Sequence, residues 1–309
     1  KMPKICVLIP TYKRNSVFDA INSVISQSVK VDEIIIIDND RNSNIEEVLK
    51  DINDIKISYY KQKENLGGAG AYSLGIRTAF ENGFDFVYAV EDDIICDKQS
   101  IEKLINSEVF SDSVVLSSVV LSPSNEIEKI HHKKLDHYLN QKPVFGDGIK
   151  YINDLKEKYF KIDANSFAGL FIPRKVIEVV GYPDPDYFIW YDDLEYTYRI
   201  SKKFNIYVIR DSFIFHMDDT YFINNNLKTI PVNNLYKVYY GIRNSLIFRL
   251  SYLSFNKKLI IILETLFYVL KISLRVIKTE EDKIKRLRVL WLGFFDGVLK
   301  SKKRNGVII

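Results

Sequence analysis

Three consecutive acids interrupt an apolar stretch of the chain: Glu91, Asp92 and Asp93. Burying unpaired carboxylates is costly, and adjacent carboxylates repel each other unless water, cations or a metal ion neutralise them. In an extended segment alternate side chains point the same way, so Glu91 and Asp93 could share one hard divalent ion, Mg²⁺ or Mn²⁺. The residues alone leave two interpretations open, a solvated turn and a metal site.

A second group of acids follows an aromatic pair later in the chain. Asp192, Asp193 and Glu195 stand at the predicted start of a helix, directly after Trp190 and Tyr191. Acids in the first turn of a helix commonly cap it and complement its dipole. The alternative is catalytic, because a carboxylate held at such a place can accept a proton from a substrate hydroxyl.

Two separate strands are predicted late in this part of the chain, IYVI at 206–209 and FIFH at 213–216, and His216 ends the second. A histidine in that position is commonly a partly buried, hydrogen-bonded side chain. It becomes a candidate metal ligand if the acids at 91–93 bind an ion. His131 and His132 lie instead in a long polar region, 122–160, that carries few other signals.

The elements that must position these groups alternate between short β-branched runs and helix-length segments. Strands are predicted at 5–9, 33–38, 55–60 and 86–90, with helices near 16–28, 43–53 and 68–82. This order predicts an α/β fold with a Rossmann-like, mostly parallel sheet flanked by helices. Ligands bind at the carboxyl ends of the strands in such sheets, which is where the acids at 91–93 stand.

A glycine-rich loop at 64–75 also follows a predicted strand. A dinucleotide-binding fingerprint would need glycine where Ser73 stands, and a P-loop would need lysine where Ile76 stands, so neither motif is present. The loop can be a tight turn, or it can let a ligand approach its backbone.

From about residue 230 the pattern becomes helical. The apolar cluster at 259–270 is interrupted or followed by Glu264, Lys271 and Arg275, so it predicts an amphipathic helix and not a bilayer-spanning one. Residues 257–309 contain 13 Lys and Arg against 5 Asp and Glu, a net charge of +8 within a chain whose total is +4. We expect this region to pack on the main domain, to lie on an anionic membrane surface, or to contact a second subunit.

Composition excludes several classes of protein. The chain of 309 residues has 47% apolar and 27% charged residues, which is typical of a folded protein, and its two cysteines exclude a disulfide framework or a structural zinc site. The first apolar run is too short for a secretory signal, which predicts a cytoplasmic protein. The basic tail lacks the interleaved aromatics of a nucleic-acid surface, so no nucleic-acid partner is expected.

The order of these motifs resembles the inverting GT-A glycosyltransferases of family 2, and among them the bacterial galactofuranosyltransferases and rhamnosyltransferases. The resemblance rests on PTYKR after the first strand, DND after the second, NLGGAG, EDDI, WYDDLEY and FHM. It covers residues 3 to about 220, with a weaker similarity in YYGIRN at 239–244. It implies a GT-A catalytic domain over 1–228 and a helical C-terminal region over 229–309.

The resemblance also implies roles for individual residues. Asp193 would be the catalytic base, and the metal ligands for Mn²⁺ or Mg²⁺ would be Glu91, Asp93 and His216. The donor would contact Pro10, Thr11, Arg14, Asp38, Asn65 and Asp92, with Asp40 as an alternative to Asp38. The acceptor or donor sugar would contact Trp190, Asp192 and Glu195. Glu91 stands where the related enzymes more often have Asp.

The expected activity is transfer of a sugar from a nucleotide diphosphate, with UDP-galactofuranose favoured, to a glycan acceptor in cell-surface polysaccharide or glycoconjugate synthesis. The acceptor would be lipid-linked or on a glycoprotein, and the enzyme would lie peripherally on the inner face of the cell membrane, as a monomer or a homo-oligomer. Rhamnosyl or glucosyl transfer, and a non-catalytic nucleotide-sugar-binding protein, are the alternatives.

Overall fold

The computed structural model describes residues 3–217 and 234–301. Its main sheet is built from the following strands: β1 (Ile5–Thr11), β2 (Glu33–Asp38), β3 (Lys56–Lys61), β4 (Phe86–Ala89), β5 (Ile94–Cys96) and β6 (Val114–Leu121). Three later strands of the chain complete it: β9 (Tyr159–Ile162), β11 (Leu170–Pro173) and β12 (Asn205–His216). The strand order is β3-β2-β1-β4-β11-β6-β12-β5, and β9 pairs with β12.

The four leading strands are parallel to one another. They are connected by α1 (Val17–Ile25), α2 (Ile45–Leu49) and α3 (Gly67–Glu81). Successive residues of β1 belong to different apolar clusters, with Leu8 packing on the α3 side and Val7 and Ile9 on the α1 side. Apolar burial on both faces explains why β1, β2 and β4 read as continuous apolar runs, whereas β3, at the edge of the sheet, is exposed or half-buried.

Beyond β4 the sheet becomes mixed, because β11 is antiparallel to both β4 and β6. Strand β12 runs parallel to β6, while β5 and β9 pair antiparallel with β12. The helices of this half are α4 (Ser100–Ile105), α5 (Arg174–Val180) and α6 (Asp192–Ser201). The polar region 122–160 contributes to a small second sheet formed by β7 (His132–Leu135), β8 (Gln141–Pro143) and β10 (Ala164–Asn165).

Two local predictions differ from the structure. The runs IYVI and FIFH, predicted as separate strands, form one strand, β12, whose pairing with β6 shifts register between Ile209 and Phe213. Such an irregularity bends a strand without ending it. The helix predicted over 43–53 is reduced to the five residues of α2.

Between residues 234 and 301 the C-terminal region forms three helices: α7 (Leu235–Tyr252), α8 (Phe255–Thr279) and α9 (Lys283–Val298). Apolar side chains of these helices share a cluster with Leu194 and Tyr198 of α6, so the helical region packs on the part of the molecule that contains α6. The predicted fold class is therefore confirmed. The boundary predicted between 228 and 229 falls outside the described residues. Within residues 3–217 and 234–301, no helix has the length and apolarity needed to cross a bilayer.

Candidate active site

The first feature of the site is a pairing between the ends of β1 and β4. Because these parallel neighbours end at the same edge of the sheet, Thr11 meets the acids that follow β4. Thr11 Oγ1 donates a hydrogen bond of 2.7 Å to Asp92 Oδ2, and Arg14 forms ion pairs with both Asp92 and Asp93. Burial raises the pKa of Asp92 to about 6, against the opposing effect of the bond from Thr11. Asp92 is thus held by the segment that follows β1.

The second feature is a cluster that could hold a metal ion. One ligand atom from each of Glu91, Asp93 and His216 lies within 4.8 Å of the others. His216 reaches the acids because β12 pairs with β5, where His216 stands opposite Ile94. Asp93 is buried, and its Oδ1 has no hydrogen-bond partner among residues 3–217 and 234–301. Residues 92–93 do form a turn, but the side chains of Asp92 and Asp93 are buried and not solvated. Two carboxylates and an imidazole, with one carboxylate oxygen lacking a hydrogen bond, fit the ligand preference of Mn²⁺.

The pKa of each group in this cluster depends on the charges of its neighbours. Burial, followed by the charge of Asp93, raises the pKa of Glu91 to about 8. Burial opposes protonation of His216, but hydrogen bonds with Asp93 and Glu128 outweigh it and raise its pKa to about 10. Burial likewise disfavours ionised Asp93, yet His216 and Arg14 hold its pKa below the usual value. In the metal-free protein a cationic His216 therefore compensates the buried carboxylates.

Behind His216 lies a group that the sequence did not reveal. His216 Nδ1 is 2.9 Å from Glu128 Oε2, and the Nε2 of His131 is 3.0 Å from the same oxygen. These three residues form a second set of ligand atoms within 4.8 Å. Hydrogen bonds from the two histidines outweigh burial and lower the pKa of Glu128 to about 2. The only sequence signal was the HisHis pair in a polar region, which does not indicate that Glu128 contacts His216, 88 residues away.

The first two acids of α6, Asp192 and Asp193, lie close enough to Glu91 to interact with it electrostatically. Burial, then the charges of Asp193 and Glu91, raise the pKa of Asp192 well above its usual value. The charge of Asp193 in turn contributes to the raised pKa of Glu91. Asp193 is half-buried, and its Oδ1 accepts a hydrogen bond of 2.7 Å from the backbone N–H of Leu194. The structure thus brings Asp193 close to the candidate metal ligands.

The segment before α6 has an unusual backbone. Phe188, Trp190 and Tyr191 have φ values of 63°, 64° and 68°, a region that side chains other than glycine rarely adopt. The side-chain amide of Asn244 donates to the carbonyls of residues 187, 189 and 190 at 2.8 to 2.9 Å, and Arg243 donates to the carbonyl of residue 186. Residues Arg243 and Asn244 of the segment YYGIRN, 239–244, therefore have a structural role: they hold the loop that presents Trp190 against α7.

The glycine-rich loop is fastened to this same segment. Gly67 has a φ of 70°, and a Cβ atom added there would lie 2.1 Å from the carbonyl oxygen of Phe188. The backbone N–H of Ala69 donates to that oxygen at 3.1 Å. Asn65 Oδ1 accepts from the N–H of Gly67, which begins α3. The backbone that approaches Gly67 closely is thus another segment of the protein, at Phe188.

The remaining predicted residues lie at or near this edge of the sheet. Asp38 is buried at the end of β2, where it accepts from Tyr59 Oη and from the N–H of Asp40, both at 2.8 Å. Pro10 is half-buried next to Thr11, and half of the Trp190 side chain is exposed. Glu195 is buried and receives hydrogen bonds from Arg199 and Tyr252, which already use both of its oxygens.

The structure defines an α/β protein whose clustered acids lie at the carboxyl edge of its sheet, and sequence similarity gives the family. Residues 6–181 match the model of glycosyl transferase family 2, and the chain belongs to that family. It is 22% identical over 269 residues to the dTDP-rhamnosyl transferase RfbF of Shigella flexneri, covering 86% of each chain. It is 30% identical over 90 residues to the galactofuranosyltransferase GlfT1 of Mycolicibacterium smegmatis, covering 29% of this chain and 30% of that one.

A solved structure shares the fold. The crystal structure of GalNAc-T7 with UDP, GalNAc and Mn²⁺ has a TM-score of 0.56 and 14% sequence identity, covering 70% of this chain and 44% of that one. At this identity the likeness concerns the fold alone. The chain spans less than half the length of GalNAc-T7 and of GlfT1, and most of the length of RfbF.

Proposed function

We propose that this chain is a metal-dependent, inverting glycosyltransferase that uses a UDP-sugar, with UDP-galactofuranose the favoured donor. The observation that carries the proposal is the convergence of Glu91, Asp93 and His216 beside Asp193 at the carboxyl edge of the sheet. The family assignment and a fold shared with a protein crystallised with UDP and Mn²⁺ support it. The local similarity to a galactofuranosyltransferase favours that donor sugar.

The roles of the residues follow from their positions. Glu91, Asp93 and His216 would hold Mn²⁺ or Mg²⁺, which supplies Lewis-acid stabilisation of the charge that develops on the diphosphate leaving group. Asp193 accepts the proton of the acceptor hydroxyl as that oxygen attacks the anomeric carbon from the opposite face. A single displacement of this kind inverts the anomeric configuration. Arg14 is a cation next to the two acids and is well placed to face the diphosphate.

The donor and acceptor surfaces are proposed from the same edge. Pro10, Thr11, Asp38, Asn65 and Asp92 surround the donor, with Asp40 as the alternative to Asp38. Trp190, half exposed on its strained loop, offers an apolar face to the sugar of the acceptor or donor. Asp192 and Glu195 complete this side. Because Glu195 is already paired with Arg199 and Tyr252, it would act mainly by keeping α6 in place.

The experiment that tests the activity is a donor screen. UDP-galactofuranose, UDP-glucose, UDP-galactose and dTDP-rhamnose are incubated with the enzyme, with Mn²⁺ or with EDTA, and release of the nucleotide diphosphate is measured. We expect metal-dependent release from UDP-galactofuranose. Release from dTDP-rhamnose alone would favour the rhamnosyltransferase alternative, which the similarity to RfbF over 86% of each chain also supports. Binding of nucleotide without any release would indicate a non-catalytic protein.

We further propose that the acceptor is lipid-linked and that α8 brings the enzyme to the inner face of the cell membrane. Ile261, Val269 and Val276 of α8 are buried against the neighbouring helices, while the opposite face leaves large apolar side chains exposed. These are Leu259, Leu263, Phe267, Leu270, Leu274 and Ile277. An apolar face accompanied by lysines suits an anionic lipid surface. A second copy of the chain is the alternative occupant.

A further inference from the structure

The ring of His216 presents its two nitrogens to different partners. Its Nε2 lies on the side of Asp93, 3.6 Å from Oδ2, and its Nδ1 lies 2.9 Å from Glu128 Oε2. An imidazole that ligates a metal through one nitrogen must be neutral, so its single proton has to be on the other nitrogen. The partner of that second nitrogen decides which tautomer is present and how the ring is oriented.

Glu128 is itself held in place by its backbone and by its carboxylate. Its N–H donates to the carbonyl of Val120 in β6 at 2.9 Å, which fixes the backbone. Its carboxylate receives the Nε2–H of His131 at 3.0 Å, and the Nδ1 of His131 faces the Ser166 hydroxyl at 2.7 Å. Glu128 and His131 are both more than nine-tenths buried. The carboxylate therefore has little freedom to turn away from His216.

The two ligand sets that share His216 can be told apart by their hydrogen bonds. In the set with His131, both imidazoles are within hydrogen-bond distance of one oxygen, Glu128 Oε2, so the polar groups satisfy each other. In the set with Glu91, the buried Asp93 Oδ1 has no partner anywhere in the described ranges, 3–217 and 234–301. The unsatisfied oxygen points to the Glu91 side for the ion, and the satisfied network to a supporting role for Glu128 and His131.

We propose that Glu128 is a positioning residue: it accepts the Nδ1 proton of His216 and so directs Nε2 toward the metal ion shared with Glu91 and Asp93, while His131 braces Glu128. The inference rests on the proposed metal site. It assigns a role to the polar region 122–160, which the proposed function otherwise leaves without one. It also accounts for a carboxylate and a second histidine that are buried beside the proposed ligands and hydrogen-bonded to each other.

The decisive variant is Glu128→Gln, because an amide keeps the shape of the side chain but removes the charge that favours the Nδ1–H tautomer. Mn²⁺ binding is measured by electron paramagnetic resonance in the presence of UDP, without turnover. We expect the dissociation constant for Mn²⁺ to rise about 10- to 100-fold, the usual cost of removing the partner of a metal-ligating histidine. In the pulsed spectrum, the nitrogen hyperfine coupling of the histidine ligand should weaken or disappear.

The matched control is Glu126→Gln, two residues away, whose carboxylate is exposed and pairs with Lys150. This variant should bind Mn²⁺ as the wild type does. His131→Gln, which keeps the charge of Glu128 but removes its brace, should give a smaller loss of affinity with the nitrogen coupling retained. If Glu128→Gln fails to fold, as judged by circular dichroism, His131→Gln carries the test: unchanged Mn²⁺ affinity in it would overturn the proposal.

The outcomes separate this inference from the proposed function. Wild-type protein that binds Mn²⁺ with a nitrogen coupling, together with an unchanged Glu128→Gln variant, would overturn the role of Glu128 and leave the metal site intact. Wild-type protein that binds no Mn²⁺ with UDP present would overturn both. Loss of affinity in Glu128→Gln with normal affinity in Glu126→Gln would support the inference.

Discussion

At the scale of single residues, the site is organised by charge compensation. Four buried or half-buried acids, Glu91, Asp92, Asp93 and Asp192, lie at one edge of the sheet, and the cations available to them are Arg14 and His216. Burial raises the pKa of a carboxyl group, so this arrangement is costly unless a positive charge is close. A divalent ion would supply that charge, which is why the acid cluster supports a metal-dependent function.

Asp193 is proposed as the base, and Asp193→Asn isolates that role. The amide has nearly the same shape and can keep the bond from the N–H of Leu194, but it cannot accept the proton of the acceptor hydroxyl. We expect transfer to fall by about 10²- to 10⁴-fold, while UDP and Mn²⁺ bind as in the wild type. Calorimetric titration of UDP with Mn²⁺ serves as the control. Near-normal turnover would remove Asp193 from the base role.

His216→Ala tests whether His216, which lies beside Glu91 and Asp93, is a metal ligand. Removing the imidazole leaves two of the three proposed protein ligands, Glu91 and Asp93, so the Mn²⁺ concentration that gives half-maximal activity should rise, by about tenfold or more. His137→Ala is the matched control, because His137 is exposed and remote from the acids in the sequence. An unchanged metal titration in His216→Ala would return His216 to a structural role.

The buried side chain of His132 should make the free energy of unfolding depend on pH. Burial, followed by the charge of His131, lowers its pKa from 6.5 to about 3, so the folded state keeps it neutral. Its contribution is fully present above pH 6.5 and is lost as pH falls toward 3, because only the unfolded chain takes up the proton there. The free energy of unfolding should decrease by up to about 1.4 kcal/mol per pH unit in this window.

Urea unfolding between pH 4.5 and 7 measures this slope. In His132→Gln it should be shallower than in the wild type, although His131, whose pKa burial also lowers, retains part of it. The control His137→Gln changes an exposed histidine and should keep the wild-type slope. Equal slopes in all three proteins would contradict the assignment.

At the scale of elements, the start of α3 and the loop before α6 depend on each other. Gly67 packs against the carbonyl oxygen of Phe188, and Asn244 of α7 ties down the carbonyls on the other side of the same loop. Three non-glycine residues in a strained backbone region persist only when their surroundings hold them. The loop that presents Trp190 is therefore a product of α3 and α7 together.

Gly67→Ala should destabilise the fold, and Gly68→Ala should not. At Gly67 the new Cβ would lie 2.1 Å from a backbone oxygen, and the alanine would have to keep a positive φ. At Gly68 the new Cβ would meet nothing within 4 Å. We expect a loss of about 3 kcal/mol in the free energy of unfolding for Gly67→Ala, and for Gly68→Ala no loss or a gain of up to about 1 kcal/mol. Urea unfolding followed by circular dichroism makes the comparison, and equal values would contradict this account of the loop.

At the scale of the whole molecule, the helical region gives one end of the protein an exposed apolar face. It lies on α8, a helix of 25 residues, where Lys271 and Lys278 follow Phe267 and Leu274 by four residues and so share their face. Monomeric proteins rarely expose large contiguous apolar patches without a partner. The basic tail and this face together favour an anionic lipid surface as the partner.

Vesicle flotation distinguishes the two occupants of that face. The wild type should float with anionic vesicles more than with neutral ones. Phe267→Asp should lower the apparent partition coefficient about tenfold or more, since burying one aromatic ring contributes about 2 kcal/mol. Val179→Asp, at an exposed valine of α5, is the matched control. Equal flotation of both variants would contradict membrane binding. A wild-type dimer that Phe267→Asp dissociates, seen by sedimentation, would identify a second copy instead.

The sequence by itself determined the elements and the order of the motifs. Continuous apolar runs bounded by polar loops specify the parallel strands β1, β2 and β4. Acids that directly follow a strand of such a sheet must lie at its carboxyl edge. The family assignment and the fold class predicted from these features are both confirmed. The roles of individual site residues stay predictions, because the order of motifs along a chain does not measure distances between side chains.

Only the tertiary structure decided what each acid contacts. Thr11 and Asp92 are 81 residues apart and Glu128 and His216 are 88 apart, yet each pair is joined by one hydrogen bond. Such contacts depend on strand pairing between distant segments and on the bend in β12, neither of which leaves a periodic signal in the sequence. The same holds for Asn244, whose three bonds exist because α7 packs beside the loop before α6. Local pattern specifies the elements, and long-range packing decides which side chains form the site.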